Sequence, residues 1–371
     1  MMIRKIIMAL IITAATSYHG ISKNFAGYYN MINEAEEQFI MYNNPEKCFI
    51  LYDRAFKEYK NPFVRDCYIA AQIAYYSGDS NRFMNYISLA FKNGMPLSAY
   101  GASQVLKKTM DNVSIYQRVQ TTWKNYGSSY AIDSAAADTI YKFAYENDSL
   151  AHFRAGDTVK MRKKLALEEK IRQYINTRYL SRGIFPGDKI LGINSDIRNE
   201  KFRAKYHIKD LNNPAQLSGS LLGKSMGVNV QALETIKEEY ELWNNYGFNI
   251  FIHSTCAWQD YKDKLWPCVL NGYLSPRNYG FLEESSVAWN RTSTLHKLAK
   301  ICDYPAKKAY YNILNHDPTN HVAVQTFTND PELLKLVNEN RKKIYMQKYE
   351  VDVQKRKLEA EKGFRFFFGF L

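Results

Sequence analysis

Residues Ile32 to Ala90 hold two segments that align without a gap at an offset of 35 residues, and this internal period constrains the fold more than any other feature. Ile32 falls on Cys67, Ala35 on Ala70, Phe39 on Ala74, Cys48 on Phe83 and Tyr52 on Ile87, and Ala55-Phe56-Lys57 falls on Ala90-Phe91-Lys92. Ile32, Ala35 and Phe39 share one helical face, and Phe49, Tyr52, Ala55, Phe56 and Tyr59 share another. Polar turns at Asn43-Asn44-Pro45 and Ser77-Gly78-Asp79-Ser80 divide each copy into two helices. Asn61-Pro62 and Gly94-Met95-Pro96 close the copies, because proline cannot continue a helix and glycine accepts the conformation that ends one. A single helix pair cannot bury its apolar face alone, so a period of this length predicts stacked pairs. A third pair, Leu97–Met110 and Val113–Tyr126, is expected to cap the end face.

The two copies resemble tetratricopeptide repeats from Ile32 to Pro96, with Ala55 and Ala90 at the small position of the second helix. The resemblance implies a concave face that holds a peptide or partner helix. Aromatic residues at helical spacing are ordinary core filling. Tyr52, Tyr59, Tyr68 and Tyr75 are the repeat residues expected to meet a partner if that face is used.

The rest of the chain also has mainly helical periodicity. Helices are expected over Ser134–Glu146, a basic stretch from Thr158 to Arg182, Val230–Tyr246, Leu265–Leu270, Pro276–Trp289 and Thr294–Cys302. Val322–Phe327 alternates as a short strand would, and Pro331 opens a last long helix capped by Asn329 or Asp330. The fold class is therefore mainly α, with N-terminal tetratricopeptide-like repeats followed by a mostly helical C-terminal domain. The expected division is a leader over 1–17, repeats over 22–150, a helical domain over 151–345, and a charged helix with a Phe-rich tail over 346–371.

Arg4-Lys5 precedes an unbroken apolar run from Ile6 to Ala15, and Ala15-Thr16-Ser17 places small residues where a signal peptidase reads. The run is shorter than the ~20 residues that cross a bilayer, so the expectation is a cleaved leader and an exported protein, periplasmic or extracellular. The formal net charge of +13 favours anionic partners. For an exported chain these are an acidic membrane or glycan surface or an envelope protein or peptide, not nucleic acid. The 5 cysteines show no Cys-x-x-Cys, so buried thiols are expected rather than a zinc or thioredoxin-like site.

In the second half, Asp148 and Arg154, Gly183-Ile-Phe-Pro186 with Gly192, and Ile250-Phe-Ile-His253 are followed by Asn271-Gly-Tyr-Leu-Ser-Pro276, Tyr279-Gly-Phe-Leu282 and Val337-Asn-Glu-Asn-Arg341. Together they resemble a bacterial domain family of unknown function found behind tetratricopeptide-like repeats in exported proteins. Ile184 interrupts the family's Gly-Phe-Pro order, and Glu283-Glu284-Ser285 stands where Asp-Arg is expected. The resemblance implies no reaction.

An alternative reading, a hydrolase-type enzyme, places an acid–base pair at His253 with Glu283 or Glu284. Its nucleophile would be Ser254 or Cys256, and neither has nucleophile-elbow glycines around it. Gly219-Ser-Leu-Leu-Gly-Lys224-Ser225 has three residues between its glycines where a phosphate loop needs four, so it reads as a turn. His316-Asp-Pro-Thr-Asn-His321 gathers ligand types, but its proline breaks the same-face geometry. No metal or cofactor is expected. The tail, with Phe366 and Phe368 as its partner-facing residues, is expected to dock on an envelope partner or membrane face rather than in the main core.

Overall fold

The computed structural model describes residues 24–127, 133–151, 157–193, 246–252, 256–292, 302, 304, 310–313 and 330–367. These residues are mainly α-helical, and no strand occurs among them. The leader, the 219–225 turn, the histidine pair at 316 and 321 and the 322–327 segment lie outside the described residues.

The first four helices are α1 (Ala26–Tyr42), α2 (Pro45–Glu58), α3 (Val64–Tyr76) and α4 (Ser80–Lys92), with α1 packed on α2 and α3 on α4. The turn residues start the second helix of each pair. Asn44 Oδ1 accepts the Lys47 N–H at 3.1 Å, and Asp79 Oδ1 accepts the Arg82 N–H at 2.9 Å. Ala35, Ala55, Ala70 and Ala90, the small residues of the internal alignment, are wholly buried. One tyrosine bond recurs from pair to pair. The Tyr28 hydroxyl on α1 accepts the Phe63 N–H at the start of α3 (3.2 Å), and the Tyr68 hydroxyl on α3 accepts the Ser103 N–H ahead of the next helix (3.0 Å).

Leu97–Met110 differs from the single helix expected. A 3-10 turn, Leu97–Ala102, leads into α5 (Gln104–Met110), because extended Ser103 turns its Oγ to the N–H groups of Val105 (3.1 Å) and Leu106 (3.4 Å). Helix α6 (Val113–Tyr126) then packs on α4 and α5. Next come α7 (Ser134–Ala151) and α8 (Thr158–Arg178), which pack together. On α8 the buried Met161, Lys164, Glu168, Ile171 and Ile175 follow helical spacing, and Lys164 pairs with Glu168 at 2.9 Å.

A short α9 (Asp188–Leu191) and α10 (Tyr246–Ile252) precede α11 (Ala257–Leu270) and α12 (Pro276–Thr292). Then come α13 (Pro331–Lys343), whose Asp330 cap accepts the Leu333 N–H at 3.0 Å, and α14 (Tyr349–Lys362). Cys256 and Cys302 form a disulfide, where buried thiols were expected, and Cys48, Cys67 and Cys268 are buried thiols.

Helix α1 is tied to the far end of the chain. The Tyr29 hydroxyl donates to Val269 O (2.9 Å), and Asn33 exchanges bonds with Tyr345 O (2.8 Å) and the Gln347 side chain (2.8 Å). Helix α14 lies against α1, and Gly363, in the left-handed region at φ 75, turns the chain out of it.

Candidate functional site

These cross-links leave a cavity of about 140 Å³ between α1 and α3 on one side and α9, the start of α12, and α13–α14 on the other. Its charged lining has five cations (Arg65, Lys189, Arg277, Arg341, Lys355) against four carboxylates (Glu36, Asp66, Asp188, Asp352), so positive charge is in excess by one. Segments 183–192, 271–276 and 337–341, which stand out in the sequence, meet here through Asp188, Tyr273–Pro276 and Arg341.

Buried groups are paired across elements. Glu36 on α1 pairs with Lys355 on α14, and Arg65 lies 3.7 Å from Glu36 and 2.8 Å from Asp66. Asp66 also accepts the Tyr28 hydroxyl at 2.7 Å. Asp352 serves three cations: Arg341, Arg277 at 2.7 Å and Lys355 at 3.9 Å. Burial drives the ionisation here. It lowers the Lys355 ammonium against the pull of Glu36 and Asp352, and it raises the Asp66 carboxyl against the pull of Arg65. The Asp188 carboxyl is pushed up to about 6, and burial brings the neighbouring Lys189 down to about 8. Lys189 Nζ sits 4.6 Å and 4.3 Å from the Phe25 and Phe63 ring centroids.

Beside the cavity, the tail runs extended over α3 and the start of α5. Gln72 makes both of its amide bonds to one residue, accepting the Arg365 N–H (2.7 Å) and donating to Arg365 O (2.8 Å). Arg65 Nε donates to Phe366 O (3.2 Å), and Gly363 O accepts from Val105 N–H (3.2 Å) and Ser103 Oγ (3.3 Å). The Phe364 ring packs on Phe39 (5.7 Å) and Tyr76 (5.0 Å) and stacks on Phe366 (5.3 Å). Phe364, Phe366 and Phe367 are 3%, 0% and 2% exposed. Through Phe367 the tail is core, and the expectation of a docking segment held outside it is corrected: rings this apolar bury on the nearest aromatic face, which their own chain supplies. Phe368 lies outside the described residues.

The other residues singled out in the sequence are dispersed. Tyr52, Tyr59 and Tyr68 are buried, so they pack the helix pairs rather than face outward, and Tyr75 is half-buried against Phe83. Glu283 accepts the Tyr311 hydroxyl at 2.7 Å, and Glu284 accepts the N–H groups of Tyr311 (2.6 Å) and Ile313 (2.9 Å). Both carboxylates thus hold the 311–313 strip, and neither lines the cavity. His253 and Ser254 lie outside the described residues.

The cavity residues gave weak sequence signals. Arg277 follows Ser275-Pro276, a helix start where an acidic residue is usual, and Lys355 sits in a run that reads as a solvated charged face. Comparison with protein-family models, curated proteins and solved structures finds no match.

Proposed function

We propose that the chain is an exported interaction protein, a tetratricopeptide-like array whose α1–α3–α5 face grips an extended, Phe-bearing segment by its main chain. The observation that carries this is the paired bond of Gln72 with both backbone groups of Arg365, at 2.7 and 2.8 Å. Main-chain bonds of this kind give affinity whatever the bound side chains are, and pockets for alternate residues give specificity. Phe39 and Tyr76 supply such a pocket for Phe364. The occupant is the chain's own tail, and an envelope protein or peptide with aromatic residues at the same spacing would compete for its place.

Export is supported by the basic-then-apolar N-terminus and by the Cys256–Cys302 disulfide, which an oxidising compartment maintains. The positive charge of the chain adds attraction to acidic membrane or glycan surfaces. The hydrolase alternative gains nothing from Glu283 and Glu284, whose oxygens hold the 311–313 strip.

The test is displacement. The full chain, labelled at its C-terminus, is titrated with a synthetic peptide copying residues 363–371, and release of the tail is followed by fluorescence anisotropy. Saturable release is expected, at a peptide concentration at least tenfold higher when every Phe of the peptide is replaced by Ala, which leaves Phe39 and Tyr76 no ring to hold. A tail that millimolar peptide cannot move would be a fixed strut and would overturn this reading.

A further inference from the structure

Helix α8 spans 21 residues, about 30 Å, and turns one side outward along its length. Val159, Arg162, Lys163, Ala166, Lys170 and Thr177 are exposed there, opposite the buried Met161, Lys164, Glu168, Ile171 and Ile175. The carboxylates of the helix are engaged elsewhere. Glu168 pairs with Lys164 at 2.9 Å on the buried side, Glu169 holds Arg172 (2.7 Å) and Gln173 (3.0 Å), and the Asp157 cap lies 3.9 Å from Lys160. Arg162, Lys163 and Lys170 find no carboxylate partner among the described residues. No Asp or Glu stands three or four residues from any of them, so the helix itself cannot supply one.

The fold gains little from this arrangement. Arg162 and Lys163 stand toward the positive end of the helix, where its dipole disfavours cations. Arg178 and Arg182 continue the exposed positive charge at the other end. A straight ridge of cations is matched by a flat anionic surface, where each charge reaches a headgroup without bending the partner. Helix α8 offers no outward ring on which a nucleic-acid base could stack, since Tyr174 packs on Phe143 at 5.5 Å. Val159, 63% exposed at the start of the face, adds an apolar contact to the headgroup layer.

We propose that the exposed face of α8 is a docking surface for an acidic membrane, with Arg162, Lys163 and Lys170 meeting phospholipid headgroups. It gives a place to the membrane attraction stated above and rests on that part of the reading. It does not rest on peptide capture at Gln72, so tail displacement and membrane binding can fail separately.

Flotation of the full chain with vesicles tests it. Binding to phosphatidylglycerol mixed with phosphatidylcholine is expected to exceed binding to phosphatidylcholine alone by about tenfold or more, and to fall with added salt. Arg162→Gln, Lys163→Gln and Lys170→Gln together should remove that preference. Lys57→Gln, Lys107→Gln and Lys108→Gln together, which take the same charge from exposed positions of α2 and α5, should keep it. No preference for the acidic vesicles overturns the proposal. So does an equal loss in the two triple variants, which would leave only the net charge of the chain. Binding of heparin or duplex DNA in place of acidic vesicles would overturn the membrane assignment. If the first variant fails to fold, the unaltered chain still decides: acidic vesicles must shield Lys163 and Lys170 from acetylation while Lys57 and Lys108 stay reactive, as read by mass spectrometry. Equal labelling of all four with and without vesicles sinks the idea.

Discussion

Asp188 shows how burial outweighs pairing in this cavity. Lys189 is its sequence neighbour and pulls its carboxyl down, yet desolvation raises it from 3.8 to about 6. The folded chain therefore keeps this proton up to about pH 6, whereas the unfolded chain loses it near 3.8. The stability this contributes is complete below pH 3.8 and is lost as pH rises through 6. Asp188→Asn removes that dependence. Urea unfolding should find the variant gaining on the unaltered chain between pH 4 and pH 7, by about 1–2 kcal/mol. A constant difference between the two across that window would contradict the buried carboxyl. Lys355 is a second case: its side chain is 3% exposed, and burial lowers its ammonium against the pull of Glu36 and Asp352.

Among the elements, α4 is held by close packing on two sides. Ala90 is 0% exposed and stands with Phe91 and Ile87 on the buried face of α4, which packs on both α3 and α6. Ala90→Leu adds three heavy atoms where no space is left, and overpacking of this kind costs about 1–3 kcal/mol. A fall in melting temperature is expected, and an unchanged one would mean that the methyl position is not the crossing point of the helices. Helix α14 gains its place differently. It carries Tyr349, Val351, Asp352 and Lys355 on a buried face, so a segment that reads as solvated charge is anchored by ion pairs as well as apolar contact.

Considered as one body, the chain brings its described ends together. Phe25 N–H donates to Leu270 O at 2.9 Å, Asn33 bonds to Tyr345 O at 2.8 Å, and residues 363–367 lie across α3 and α5. Removing Gly363–Leu371 takes away Phe364, Phe366 and Phe367, each of which stabilises by about 1.5–3 kcal/mol on burial. A loss on the order of 5 kcal/mol is a large part of an ordinary domain's stability. The truncated chain should melt far lower than the full one, with α1 and α14 losing amide protection together in hydrogen exchange. A truncated chain of unchanged melting temperature would return the tail to the role of a free docking segment.

Much of the architecture follows from local pattern. The helix pairs and their turns come from apolar spacing, from Asn44, Asp79 and Asp330 as caps, and from prolines and glycines at the breaks, all of which act within a few residues. The break at Ser103 was missed because its hydroxyl competes locally with a helix that the apolar pattern alone would continue. The cavity was illegible for a different reason. Glu36, Arg65, Arg277, Arg341, Asp352 and Lys355 are ordinary charged residues in the sequence, and they become a buried network only when α1 meets α12–α14 across some 300 positions. The tail's aromatic content made burial certain from composition, since exposed Phe is unfavourable wherever it occurs. Which surface takes it was left to tertiary structure, because the acceptor combines the Gln72 amide, the Arg65 guanidinium, the Ser103 hydroxyl and the Phe39 and Tyr76 rings, brought together by the packing of separate helices.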